Sequence, residues 1–303
     1  MSIDIAVVPV AGHGTRLLPM TKSQPKEMLP VGRKPVVQYV VEELALSGIR
    51  RQLFVTGPGK TAIENHFDED AELIQRLRVE GKEPLLKQLD FERRDMGYFY
   101  TRQRRQLGLG HAVLCAQPLI GDFPFVVALG DSIIGLNAQS NIVQRMIEVF
   151  EQQQAAAVIA FEEVRPADVW RYGIARPQGT AGDVFALADV IEKPQVADAP
   201  SNLAIAARYV CGPQVFEALK ETRPGAGGEI QLTDALRSLI ASGEKLFGVR
   251  LSPDEKRYDI GNFGSYFRAF TEFALADPDY GAGLRSYLQE LLGQPQPSED
   301  APA

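Results

Sequence analysis

Two closely spaced glycines, Gly12 and Gly14, precede an arginine in the run Val7-Val8-Pro9-Val10-Ala11-Gly12-His13-Gly14-Thr15-Arg16. Glycine frees the backbone for a tight turn whose N–H groups can approach an anion closely. The Arg16 guanidinium adds a permanent fork of donors at the mouth of that turn. Lys26, in Pro25-Lys26-Glu27-Met28-Leu29-Pro30, adds a second, point-like cation. Strand, glycine turn and two cations make a phosphate cradle. It is not a Walker A loop, because G-x-x-x-x-G-K-[ST] is absent. Nor is it the dinucleotide fingerprint, because no third glycine opens a helix.

Other candidates stand where apolar runs end. Asp131 follows one directly, in Gly130-Asp131-Ser132. A carboxylate there suits Mg²⁺, which takes one or two carboxylates plus substrate phosphate oxygens, and it also suits a plain turn. Gln103, ahead of Leu107-Gly108-Leu109-Gly110, suits a base pocket. Its amide offers a donor and an acceptor to a pyrimidine edge, and Gly108 lets backbone approach a flat ring. Glu192-Lys193-Pro194 ends a strand. Lysine there suits a sugar phosphate, and the carboxylate can accept from sugar hydroxyls. Asp259, in Tyr258-Asp259-Ile260-Gly261, is a second metal ligand or a turn former. His111 opens a helix and reads as a packed or capping histidine rather than a base.

The elements that must position these residues alternate. Ile3–Val10, Leu53–Gly57, Tyr98–Gln103, Phe123–Leu129 and Ala155–Val164 read as buried strands. Between them Pro35–Ser47, Lys60–Phe67, Gly110–Leu119 and Asn141–Gln154 have helical spacing, with residues 68–96 as a charged surface insertion. Repeated βα units predict a doubly wound α/β sheet, mostly parallel, whose ligands bind at the carboxyl ends of the strands. From Tyr172 the strands Tyr172–Arg176, Val184–Glu192 and Leu203–Cys211 have few helices between them, which predicts a smaller antiparallel extension. The helices Val215–Lys220, Ile230–Ser242, Tyr266–Leu275 and Leu284–Leu292 and the strand Leu246–Leu251 complete it. No linker separates the parts, so residues 1–292 read as one domain. About 1–164 form its nucleotide-binding part and 165–292 a part grown out of it, followed by a disordered tail from Gly293.

A net charge of −7 over 303 residues, with no basic stripe, argues against nucleic acid as partner. A polyanionic ligand must then be held by a few focused cations. Cys115 and Cys211 lack C-x-x-C partners and read as buried reduced thiols, and His13, His66 and His111 are too scattered for a zinc site. With no signal peptide and no apolar run of spanning length, the sequence predicts a cytoplasmic protein that does not engage a membrane.

Together these residues resemble the sugar-nucleotide pyrophosphorylase superfamily, and within it the bacterial UTP–glucose-1-phosphate uridylyltransferases. The resemblance rests on Val-Pro-Val-Ala-Gly-x-Gly-Thr-Arg-x-Leu-Pro from Val8 onward as it stands here, Pro25–Pro30, Gln106–Ala116, Ile191–Pro194, Pro200–Ile205, Pro224–Ala235 and Lys256–Asp259. It runs in the expected order over residues ~4 to ~292. It implies that Ala11, Gly12, Gly14, Thr15, Arg16, Lys26 and Glu27 cradle a nucleoside triphosphate and that Gln103 and Gly108 read its base. Asp131 and Asp259 would hold Mg²⁺. Tyr172, Gly173, Glu192, Lys193 and Glu229 would line the sugar-phosphate pocket. Arg16, Lys26 and Lys193 would carry the chemistry, UTP plus glucose 1-phosphate giving UDP-glucose and pyrophosphate, in a homodimer or homotetramer. The sequence departs from the family pattern at His13, at Gly130 and Ser132 around Asp131, and at Ile260 and Asn262. Two rivals follow: a thymidylyltransferase or other pyrimidine nucleotide–sugar pyrophosphorylase, and a catalytically silent regulatory homologue.

Overall fold

The computed structural model describes residues 3–89, 91 and 96–293. Strand β1 (Ile5–Pro9) opens the fold, Ile5 and Val7 packing into the core on one face and Ala6 and Val8 into the core on the other. Burial on both faces is why the run is apolar without alternation. A two-residue ribbon, β2 (Pro30–Val31) and β3 (Lys34–Pro35), leads into helix α1 (Val36–Leu46) and then β4 (Arg51–Thr56). Helices α2 (Thr61–Phe67) and α3 (Ala71–Val79) precede β5 (Gly97–Arg102). Helices α4 (Leu109–Leu114) and α5 (Gln117–Ile120) precede β6 (Phe125–Ala128), followed by β7 (Ser132–Ile134), α6 (Ile142–Gln153) and β8 (Ala157–Glu163). Strands β9 (Gly173–Pro177), β10 (Val184–Glu192) and β11 (Leu203–Cys211) come next, then α7 (Gln214–Glu221) and α8 (Leu232–Ala241). The chain continues through β12 (Leu246–Arg250), β13 (Arg257–Asp259), α9 (Phe263–Leu275) and α10 (Gly281–Gly293).

Nine strands form one sheet in the order β5-β4-β1-β6-β11-β8-β12-β10-β9. The expected mostly parallel sheet is in fact mixed. Four of the eight neighbouring pairs are parallel (β5–β4, β4–β1, β1–β6 and β8–β12), because β11 runs antiparallel between β6 and β8 and β10 antiparallel between β12 and β9. The strands beyond residue 165 are therefore not an appendage at one edge, since β11 fills the middle. Helices α1 and α6 cover one face through Val40, Leu44, Ile142 and Met146. Helices α4, α7 and α8 cover the other through Val113, Phe216 and Leu236. The insertion at 68–96 is less superficial than expected, since Ile74 and Phe91 are buried, with Phe91 against the Phe67 and His66 rings. Gly293, expected to begin the tail, ends α10, and residues 294–303 lie outside the described residues.

Two ion pairs that the apolar patterning hides tie the layers together. Glu43 on α1 and Arg208 on β11 are both completely buried. Arg208 donates from Nε to Glu43 Oε1 at 3.0 Å, from Nη2 to Glu43 Oε2 at 2.6 Å, and from Nη2 to the Ser132 carbonyl at 2.9 Å. Glu255, in the loop before β13, accepts from Ser140 Oγ at 2.6 Å, the Ser252 N–H at 2.7 Å and the Asn141 N–H at 3.2 Å, and it pairs with Arg145. Burial alone would raise the Glu255 carboxyl, but these hydrogen bonds and the Arg145 charge outweigh it and hold it below the usual carboxylate range. A depressed carboxyl stabilises the fold above its unfolded value and loses that contribution as pH falls through the folded one. Glu255→Gln is expected to cost about 1–3 kcal/mol at pH 7. Its deficit should shrink below about pH 4. Urea melts of both proteins at pH 7 and at acid pH check this, and an unchanged deficit at the lower pH contradicts it.

Candidate active site

The carboxyl ends of β1, β5 and β6 open on a cleft of about 650 Å³, lined by Gly12, Thr15, Arg16, Gln103, Gly108 and Asp131 among others. The glycine turn expected at Gly12–Gly14 lies there. Gly14 lies in the left-handed region (φ +67°), and its carbonyl accepts from the Leu17 N–H at 2.9 Å and from Thr21 Oγ1 at 2.8 Å. Leu17 is buried beneath the turn, so Thr15 and Arg16 are turned outward. No hydrogen bond holds the Arg16 guanidinium among the described residues, which leaves its donors available to a ligand. His13 is exposed at the rim of the same cleft.

Lys26 Nζ lies 2.5 Å from Asp131 Oδ2. Burial would lower the ammonium, but Asp131, Glu27 and Asp259 outweigh it and raise it, so Lys26 stays charged. Glu27 is buried under the loop and accepts from Lys60 Nζ at 2.8 Å. It also lines the cleft.

Asp131 and Asp259 come together through an element that the sequence pattern did not reveal. Strand β13 pairs antiparallel with β7, setting Asp259 opposite Ser132, and the Ile260 N–H donates to the Asp131 carbonyl at 3.1 Å. A separate apolar cluster of Leu17, Val31, Ile133, Tyr258, Tyr266 and Phe273 holds this ribbon in place. Burial and the Asp131 charge raise the Asp259 carboxyl against the pull of Arg257, Lys26 and Arg16. Burial also works against ionised Asp131, but Lys26 prevails and holds that carboxyl low. Two half-buried carboxylates that feel each other's charge beside the glycine turn are a donor set that fits Mg²⁺ together with phosphate oxygens. Ser132, next to Asp131, is buried, its hydroxyl without a partner among the described residues.

At the far end of the cleft, Gln103 Nε2 donates to the Gly108 carbonyl at 3.0 Å and lies 2.9 Å from His111 Nδ1. The amide nitrogen is therefore committed, so Gln103 can present its carbonyl oxygen to a ligand but not the donor expected of it. His111 is packed as expected, and burial lowers its pKa. Gly108 has a reason beyond ligand approach. At φ +97° a Cβ would lie 2.7 Å from the Ile230 carbonyl, where the 229–231 segment crosses. Gly108→Ala is expected to cost about 1–3 kcal/mol in thermal stability, because the obstacle is backbone. Melting that matches the wild type contradicts this.

A second cleft of about 600 Å³ adjoins the first. Tyr172, Gly173, Glu192, Lys193 and Glu229 all line it, and so do Arg16, Lys26 and Asp131. Thr233 on α8, which sequence reading missed, donates to Glu192 Oε2 at 2.7 Å. Lys193 and Ala207 both line this cleft with positive φ (44° and 61°). Such strain in non-glycine residues concentrates at functional sites. The Lys193 N–H donates to the Tyr172 carbonyl at 2.9 Å, which fixes the turn, and Lys193 Nζ lies 3.3 Å from Glu192 Oε1. Arg257, on β13 with its side chain 8% exposed and lining this cleft, was also missed, because a charged residue in Lys256-Arg257-Tyr258-Asp259 reads as surface.

Fold and clefts together define a nucleotidyl transferase: the family model of that description matches residues 5–275, and the chain belongs to this family. Among its relatives are UTP–glucose-1-phosphate uridylyltransferases, including YngB of Bacillus subtilis, 44% identical over 287 residues that cover 95% of each chain. The solved structure of a UTP-bound UGPase from Acinetobacter baumannii is similar with a TM-score of 0.86 at 35% identity, covering 95% of this chain and 99% of that one. A UDP-glucose pyrophosphorylase complexed with UDP-glucose is similar with a TM-score of 0.81 at 35% identity, covering 91% and 100%.

Proposed function

We propose that the chain joins UTP and glucose 1-phosphate into UDP-glucose and pyrophosphate. The observation that carries the reading is that Arg16, Lys26 and Asp131 line both clefts, so two phosphate-bearing ligands would meet there. Gln103 accepts from the N3–H of uracil, and Gly12, Gly14 and Thr15 cradle the triphosphate. Tyr172, Gly173, Glu192 and Glu229 surround the sugar, while Lys193 holds its phosphate. A sugar phosphate is largely dianionic at neutral pH, its second pKa being near ~6 by analogy with phosphorylated side chains. No general base is then required, which agrees with His111 being engaged by Gln103. An oxygen of the sugar phosphate attacks the α-phosphorus in line. The bond to the α–β bridging oxygen breaks, and pyrophosphate leaves with the electron pair. Arg16 takes charge on the departing group, and Lys26 steadies the triphosphate beside Asp131. Asp131 and Asp259 would hold Mg²⁺, whose chemistry there is to neutralise the phosphate oxygens.

Initial rates of pyrophosphate release from UTP and dTTP across a panel of sugar 1-phosphates test the assignment. Uracil and thymine differ by one methyl, worth about 1–3 kcal/mol of discrimination. Faster turnover of dTTP with every sugar would shift the reading to a thymidylyltransferase, and no turnover with any pair would favour a silent homologue. For assembly, α9 and α10 leave Phe267, Tyr287 and Leu292 exposed, an apolar face of the sort that marks protein contacts and supports a homodimer or homotetramer.

A further inference from the structure

Arg257 is the most enclosed charged group at the second cleft to which the mechanism above gives no role. Its side chain is 8% exposed. Nε donates to Glu162 Oε1 at 2.5 Å, and the guanidinium lies 4.8 Å from the centre of the Tyr172 ring. These are its only close partners among the described residues. Neither terminal nitrogen has a hydrogen-bond acceptor among the described residues. The enclosed side-chain polar atoms without a partner are Gln52 Oε1 and Ser132 Oγ alone among the described residues, so the two Arg257 nitrogens must reach open space. Arg257 lines the 600 Å³ cleft with Tyr172, Lys193 and Asp259.

We propose that Arg257 is a substrate-binding residue whose two terminal nitrogens hold the phosphoryl group of the sugar 1-phosphate, with Glu162 and Tyr172 keeping the fork in place. This rests on the reaction proposed above and deepens it. Lys193, the expected phosphate cation, has a side chain 56% exposed and paired with Glu192, so ordering it on a ligand costs side-chain freedom. Arg257 is already ordered by an anchoring carboxylate, by an aromatic face and by its place in β13, two residues before Asp259. A guanidinium fixed at Nε still offers a planar pair of donors that match two phosphate oxygens. The negative charges nearest to it are Glu162, which it anchors on, and Asp259, whose carboxyl it pulls down against burial and the Asp131 charge. The arrangement therefore divides the labour: Arg16 and Lys26 serve the nucleotide phosphates, and Arg257 with Lys193 serves the incoming one.

Steady-state kinetics of the full chain, with the nucleotide it uses best, test this through the split between the two KM values. Arg257→Met is expected to raise KM for glucose 1-phosphate at least tenfold and leave KM for the nucleotide within twofold. Arg257→Lys, which keeps the charge but not the fork, and Glu162→Gln, which keeps the fork but loosens its anchor, should raise the same KM by smaller factors. KM for glucose 1-phosphate within twofold of wild type in all three variants overturns the proposal, as does an equal rise in both KM values. If Arg257→Met fails to fold, the other two variants decide by the same criterion. Absence of turnover by the wild-type chain would instead overturn the reaction on which the proposal rests.

Discussion

Arg16→Ala is expected to lower kcat by about 10²–10³-fold, the usual loss when one preorganised donor to developing charge is removed. Folding should hardly notice. The side chain is exposed, makes no hydrogen bond among the described residues, and stands on a turn held by its neighbours Gly14 and Leu17. A surface substitution of this kind changes stability by about 0.5 kcal/mol or less. The two numbers separate a residue that acts on the transition state from one that shapes the site. Lys26 would give no such separation, because removing it leaves half-buried Asp131 without its ion-pair partner. Near-normal turnover by Arg16→Ala, measured as pyrophosphate release at saturating substrates, would remove Arg16 from the chemistry.

Arg208→Met should be the most destabilising single change. It removes the partner of a carboxylate with no solvent exposure, and breaking a buried pair in this way costs about 3–5 kcal/mol. The double variant Glu43→Leu/Arg208→Met should recover most of that loss, because no uncompensated charge remains. Urea denaturation of the single and double variants measures both. A single variant within 1 kcal/mol of wild type would contradict the role given to the pair. Activity should fall as well in the stable double variant, since Arg208 also holds the carbonyl of Ser132, the residue next to Asp131.

Much of the site was legible because its residues stand where buried strands end. Val7–Val10 and Phe125–Leu129 are buried on both faces, so their apolar runs stop abruptly at the polar turns that carry Arg16 and Asp131. The central place of β11 was not legible. Leu203–Cys211 reads correctly as an antiparallel strand, but its place between β6 and β8 is fixed by long-range packing. Arg208 lies within that run, and only its partner on α1 explains a guanidinium there. The β7–β13 ribbon escaped notice because three-residue strands carry too little periodicity to detect, although it sets Asp259 beside Asp131. Gln103 lines the cleft at a strand end, but its donor is spent on Gly108 and His111, contacts that no spacing reveals.

The claim at the centre of this account is that the two clefts meet at one phosphorus, where the sugar phosphate attacks directly. Turnover of UTP bearing a chiral α-phosphorothioate tests it, with the configuration of the UDP-glucose product read by phosphorus NMR. A single in-line displacement inverts the centre, and inversion is the expected result. Retention would require two displacements and a covalent enzyme intermediate, which would contradict the account.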